Sequence, residues 1–210
     1  MAEMSQQAVK NYQAREDDDA DLVRRCQKGD IDAFEVLVER HQKKMINIAY
    51  RMLGDYGDAC DVVQESFLSA YRAVGKFRGE ARFSTWLYGI VVNHTRNRLK
   101  QRAARSRHEV SSIDDPMESE DGSLLTEAHA QEESVIEQLD KKKLEKKVQV
   151  CISALDGEQR EVLVLRDIQG FSYEEIGDIL NLPKGTVKSR LFRARNALKH
   201  SLKRVLGDLR

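Results

Sequence analysis

The chain has 210 residues, 40% of them apolar and 33% charged, with only two prolines, and its 35 Lys and Arg balance 35 Asp and Glu. That composition fits one large or two small helix-rich domains with modest cores. It excludes several classes: no apolar run approaches the ~20 residues of a membrane helix, and the polar start MAEMSQQAVKNYQAREDDDA is unlike a signal peptide. Cys26, Cys60 and Cys151 are isolated and lack metal-ligand spacing, so neither a metal nor a cofactor is expected, and a cytoplasmic, reducing setting is.

Residues 1–20 read as a polar N-terminal tail. Beyond them, Phe34, Leu37, Val38, His41, Met45, Ile48, Ala49 and Met52 recur at three- and four-residue steps, the stripe of an amphipathic helix ended by Gly54. His41 lies within that stripe and is expected in the core. A second helix in DACDVVQESFLSAYRAV places Val63, Phe67, Ala70 and Val74 on one face. A third pattern, STWLYGIVVNHTRNRLKQR, begins at Ser84, which has the chemistry of an N-cap. Strand-like alternation is missing, so residues 21–105 are predicted to be an all-helical domain. Between 77 and 98, Phe77, Phe83, Trp86 and Tyr88 are interleaved with Arg78, Arg82, Arg96 and Arg98. Aromatic faces and cations in alternation suit single-stranded nucleic acid, although aromatics at helical spacing also serve as core, and at least half of these four are expected to be buried.

Charge is strongly segregated. Residues 90–108 hold six Lys or Arg and no acid, residues 109–140 hold eleven Asp or Glu and no Lys or Arg, and residues 141–210 carry a net +7. The acidic stretch, which includes Pro116 and Gly122, is predicted to be a flexible linker over 106–140.

Residues 141–210 are predicted to form a helix-turn-helix domain. A helix around GEQREVLVLRDI closes at Gly170, and FSYEEIGDIL opens with Ser172 and Glu175 at capping-box spacing. Gly177 inside that helix is unfavourable by about 1 kcal/mol relative to Ala, which is tolerable where two helices must approach closely. After Pro183 comes KGTVKSRLFRARNALKHSLKR, with eight Lys or Arg and no acid. On a helical wheel Val187, Leu191, Ala194 and Leu198 form the buried stripe. Ser189, Phe192, Arg193 and Asn196 point away from it, flanked by Lys188, Arg190 and Arg195. A solvated charged face accounts for the bases but not for Phe192. In a DNA major groove Phe192 packs on thymine methyls, Arg193 reads guanine, and the flanking bases meet phosphates.

Taken together, DLVRRCQKGDIDAFEVLVERH, DVVQESFLSAYRAVGKFRGEARFSTWLYGIVVNHTRNRL and GFSYEEIGDILNLPKGTVKSRLFRARNAL, in that order, resemble a bacterial RNA polymerase sigma factor of the extracytoplasmic-function group. The resemblance implies that Asp61, Val62, Val63, Gln64 and Glu65 dock on the clamp helices of the polymerase largest subunit. It implies −10 recognition and promoter melting by Phe77, Arg78, Arg82, Trp86, Asn93 and Arg96, with Asn93 lining the pocket for a base flipped from the −10 element. It implies −35 contacts by Thr186, Lys188, Ser189, Arg190, Phe192, Arg193 and Arg195. An anti-sigma partner is a further implication. Two positions depart from the family pattern: Gly89, where a basic residue is usual, and Cys60, where Glu is frequent.

Two other readings compete. A ligand-sensing helix-turn-helix regulator accounts for the second domain and predicts a dimer, but leaves residues 77–98 without a role. A DNA-processing enzyme needs strands or convergent carboxylates, and the sequence pattern offers neither.

Overall fold

The computed structural model describes residues 19–109 and 135–207. Among them there is no strand. The order is α1 (19–27), α2 (Ile31–Leu53), α3 (Tyr56–Ala73), α4 (Phe83–Glu109), α5 (Val135–Ser153), α6 (Gly157–Leu163), α7 (Tyr173–Leu180) and α8 (Lys184–Leu206).

Local signals start and stop these helices. Asp30 accepts from the Ala33 amide at 3.1 Å and Asp55 from the Asp58 amide at 2.7 Å, filling donors that open helix ends leave unpaired. The α2 helix stops at Gly54, whose φ of 78° suits a residue without a Cβ. Ser172 and Glu175 form the predicted capping box at the start of α7. Between α6 and α7 a five-residue π-type turn, Val164–Ile168, precedes Gly170.

Three expectations need adjustment. Ser84 is not an N-cap: the Arg82 carbonyl already takes the first helical bond, from the Trp86 amide at 3.1 Å, and Ser84 sits buried inside α4. The fold also begins earlier than residue 21. Asp19 is buried, accepts from Arg40 at 2.5 Å, and lies 2.9 Å from His41 Nε2. A carboxylate only accepts, so Nε2 carries a proton towards Asp19, and Nδ1 lies 2.9 Å from the Tyr88 hydroxyl. His41 is thus a core histidine, as its stripe predicts. The third concerns the linker: α4 continues to Glu109 and α5 begins at Val135, through Arg-, Lys- and Glu-rich stretches of good helix propensity. The remaining linker residues, 110–134, and the tail before residue 19 lie outside the described residues. The aromatic run meets its expectation, with half of its four rings buried. Phe83 and Tyr88 are buried, while Phe77 and Trp86 are half-buried, their rings 5.1 Å apart.

The core takes in the predicted stripes of α2, α3 and α8 together with residues outside them. Leu37, Met45, Ile48, Met52, Val62, Phe67, Leu87 and Val91 pack the first unit, and Val162, Leu163, Leu165, Ile176, Val187 and Leu191 the second. The two units do not sit apart. Arg160 reaches from α6 to the Met52 carbonyl at 2.6 Å, and also donates to the Leu155 carbonyl at 2.9 Å. Burial pushes its pKa below the usual arginine value, yet the carbonyls at the end of α2 are partners that favour a cation. Gln149 adds bonds to Arg51, from its Nη1 at 3.1 Å and to its carbonyl at 3.2 Å.

Candidate nucleic-acid and polymerase interface

The helix-turn-helix takes its angle from a close turn between α7 and α8. A Cβ on Gly177 would lie 2.9 Å from the Leu182 carbonyl oxygen, and the Leu182 amide donates back to Gly177 at 2.9 Å. The close approach predicted at Gly177 is therefore to the turn's own backbone. Pro183 then starts α8, where a missing N–H does no harm.

On α8, Val187, Leu191 and Ala194 are buried, and Leu198 packs against the core. Phe192 stands 69% exposed on the opposite side, with Lys188, Ser189, Arg193 and Asn196 also exposed around it. Thr186 is half-buried at the first turn, where its carbonyl accepts from the Ser189 hydroxyl at 3.0 Å. The remaining two arginines are engaged elsewhere. Arg190 is only 17% exposed and pairs with Glu158 of α6 at 2.8 Å. Arg195 donates two bonds to Asp167, at 2.9 and 2.5 Å, and this hydrogen bonding raises its pKa. Arg190 is thus turned toward α6, whereas Arg195 stays about half exposed while it pairs with the π-type turn. The wheel alone gives no sign of this, because the partner acids lie on other helices.

In the first unit, Gln27 donates to the Val74 and Phe77 carbonyls at 3.1 and 2.9 Å, fixing the turn from which the segment 77–82 departs. Arg78 and Arg82 are exposed on that segment; Arg82 lies 3.5 Å from Glu175 of α7. Phe77, Phe83 and Trp86 pack on one another at its base, with centroids 5.1–5.8 Å apart. Asn93 is exposed on α4 and accepts from Arg96 at 3.3 Å. Arg96 in turn makes a two-pronged pair with Glu161 of α6, both bonds 2.6 Å, and those bonds raise its pKa. Arg98 belongs to a separate network with Asp58 at 2.7 Å and Glu65 at 3.1 Å.

The DVVQE stretch divides by burial. Asp61, Gln64 and Glu65 are exposed. Val62 is fully buried, so it offers no surface to a partner and belongs to the core. Val63 is buried too, but with Gln64 it lines a mostly apolar groove of about 570 Å³ between α2 and α3. Ile31, Phe34, Leu68 and Tyr71 are among its other lining residues, three of them large apolar side chains left exposed. The helical periodicity could have flagged Leu68 and Tyr71, which fall off the buried stripe of α3. Among the described residues, no cluster of His, Cys, Asp or Glu is arranged to hold a metal, and no helix is long and apolar enough to cross a membrane.

Residues 37–105 match Sigma-70 region 2 and residues 145–198 match Sigma-70, region 4. The RNA polymerase sigma-H factor of Pseudomonas aeruginosa is 38% identical over 193 residues, covering 92% of this chain and 98% of that protein. The ECF RNA polymerase sigma-E factor of Escherichia coli K12 is 40% identical over 188 residues, covering 88% and 94%. Among solved structures, CnrH in complex with the cytosolic domain of CnrY aligns with a TM-score of 0.62 at 25% identity, over 88% of this chain and 97% of that one. The sigma factor RpoE in complex with the anti-sigma factor NepR, from Bartonella quintana, shares the fold at 22% identity, with a TM-score of 0.62 over 81% of this chain and 96% of that one. Two helical domains carrying these two regions in this order define a factor that directs RNA polymerase to promoters. This chain belongs to the sigma-70 family, within its extracytoplasmic-function group.

Proposed function

We propose that the two units divide promoter recognition between them, with core RNA polymerase held by the first. The α2–α3 groove, with Val63 at its wall and Gln64 on its rim, takes a polymerase helix from the clamp of the largest subunit, and Asp61 and Glu65 add polar contacts beside it. The exposed apolar side chains Ile31, Leu68 and Tyr71 support that reading, since a buried apolar partner removes them from water. The segment 77–82 and the α4 face capture the melted −10 strand. There Arg78, Arg82 and Arg96 meet phosphates, Phe77 and Trp86 offer ring faces, and Asn93 receives the flipped base. The N-terminal half of α8 enters the major groove at the −35 element. In it Arg193 reads a base edge, Phe192 packs on apolar base atoms, Ser189 and Lys188 lie beside them, and Thr186 sits at the entry. Arg190 and Arg195 hold the helix in register through Glu158 and Asp167. The polymerase carries out the chemistry, and the factor works beside it in the cytoplasm. An anti-sigma protein restrains it, a reading supported by the complexes formed by its structural relatives.

The observation that carries the proposal is the single-sided exposure of Phe192 on a helix whose opposite face is buried. The test is run-off transcription on fragmented genomic DNA by core polymerase, with and without the protein. Transcripts that start at a fixed distance from one two-part motif are expected. No start sites, together with palindrome binding by a dimer, would leave a conventional regulator instead.

A further inference from the structure

Charge on α3 is one-sided. Asp58, Asp61 and Glu65 fall three and four residues apart, so their carboxylates share one face, where like charges at that spacing repel. Asp61 and Glu65 are the two acids of the rim assigned to polymerase, and both are more than half exposed, at 66% and 54%. Arg98 of α4 stands against this face. It is 21% exposed, donates to Asp58 at 2.7 Å and to Glu65 at 3.1 Å, and has Asp61 at 3.9 Å. Asp58 is as enclosed as Arg98 and also pairs with Arg102, which donates to the Leu53 carbonyl at 3.2 Å. The Arg98 guanidinium is thus fixed from the inner side and reaches outward to Glu65. The second oxygen of Glu65 lies 3.6 Å from His94 Nδ1, and His94 Nε2 lies 3.0 Å from the Ser69 hydroxyl.

We propose that Arg98 is a positioning residue for polymerase docking: braced by Asp58, it holds the Glu65 carboxylate in the orientation that polymerase meets. Exposed ion pairs add little to folding stability, so the network matters more for where it leaves Glu65 than for holding α3 to α4. A glutamate alone on a helix surface samples several rotamers, and a partner that fixes one of them loses binding energy to that ordering. With Arg98 in place the ordering is done before polymerase arrives. Arginine suits the task because its planar fork of donors serves two carboxylates at once. Glu65 keeps lone pairs that Arg98 does not use, so it still accepts from a donor on the polymerase. Two residues earlier on α4, Arg96 points about 200° round the helix, toward Glu161. One helix therefore serves the strand-capture side through Arg96 and the polymerase side through Arg98.

This inference rests on the assignment of the α2–α3 groove and its rim to polymerase docking, and the experiment separates the two. Full-length wild type, Arg98→Met, Arg98→Lys, Glu65→Ala and the double variant R98M/E65A are labelled with a dye and titrated with core RNA polymerase. Leu68→Asp, at an exposed apolar wall of the groove, tests the docking assignment itself. Melting curves establish which variants remain folded, and Arg98→Lys, which keeps the charge but loses the fork, carries the comparison if the methionine variant does not fold. Run-off transcription at saturating factor then separates docking from promoter opening.

Arg98→Met should weaken binding to core by roughly three- to tenfold, the share set by one side chain ordered in advance. Arg98→Lys should recover part of that loss. Because Arg98 works through Glu65, the double variant should bind within about twofold of Glu65→Ala alone, the signature of coupled rather than independent sites. Output at saturating factor should match wild type. Unchanged affinity for core in folded Arg98 variants overturns the proposal. So do losses that multiply in the double variant, which make Arg98 independent of Glu65, and so does failed promoter opening at saturation, which places Arg98 on the DNA. Wild-type binding by both Glu65→Ala and Leu68→Asp shows instead that the docking assignment has failed.

Discussion

Replacing Phe192 with Ala separates folding from recognition. A phenylalanine side chain presents about 200 Å², and at 69% exposure roughly two thirds of that is open to solvent in the free protein. The buried third, about 60 Å², contributes about 1.5 kcal/mol to folding at 25 cal/mol per Å². Alanine returns about 0.5 kcal/mol through its better helix propensity, so the variant should lose only about 1 kcal/mol of stability. The exposed remainder, about 140 Å², sets an upper limit of about 3.5 kcal/mol on what packing against bases could supply. Association never converts area at the full rate. A loss of about 1–2 kcal/mol in promoter binding, five- to thirtyfold in affinity, is therefore expected. Leu191→Ala is the internal control: its side chain is 2% exposed one residue away, and truncation there should remove about 2–5 kcal/mol of stability. The assays are thermal unfolding of the free chain and filter binding of reconstituted holoenzyme to promoter fragments with intact or scrambled −35 sequence. Promoter affinity unchanged by Phe192→Ala, or destabilisation equal to that of Leu191→Ala, would refute the argument.

Three further substitutions probe other levels of the structure. Gly177→Ala gains about 1 kcal/mol in helix propensity but places a methyl 2.9 Å from the Leu182 carbonyl; a net loss of about 1–3 kcal/mol is expected from the overpacked turn, and a raised melting temperature would contradict it. Asp19→Ala removes a carboxylate partner from Arg40 and from the buried His41. Chemical denaturation should register a loss of about 1–3 kcal/mol, whereas full stability would show that the N-terminal turn of α1 contributes nothing. Arg193→Ala should weaken discrimination at one −35 position by about 1–3 kcal/mol, read by competition among single-base variants of a promoter; a uniform decline across all variants would reduce Arg193 to a phosphate contact.

Helical periodicity made most of the individual elements legible. The α2 stripe from Phe34 to Met52, the Ser172–Glu175 box and the two-faced α8 follow from spacing alone, because each is decided by neighbours three or four residues away. Boundaries were less so. At Ser84 a good capping residue is overridden by the buried packing of the segment before Trp86, and at Asp19 an acidic run that reads as tail supplies the one carboxylate His41 needs. The polar assignments were the least legible. On a wheel, Lys188, Arg190, Arg193 and Arg195 are equivalent cations around Phe192, yet Glu158 and Asp167, from elsewhere in the chain, pair with two of them.

The sequence by itself determined the class: helices, their stripes, two domains in a fixed order, and a basic recognition helix with one exposed aromatic. These are properties of short windows, set by backbone hydrogen bonding and by which face turns away from water. The tertiary structure alone decided which charges are spent on the fold, that Val62 is core while Val63 reaches a groove, and that the two domains meet across Arg96 and Glu161. Those outcomes depend on residues from 28 to 65 positions apart, or further, arriving next to one another, and no local pattern carries that information.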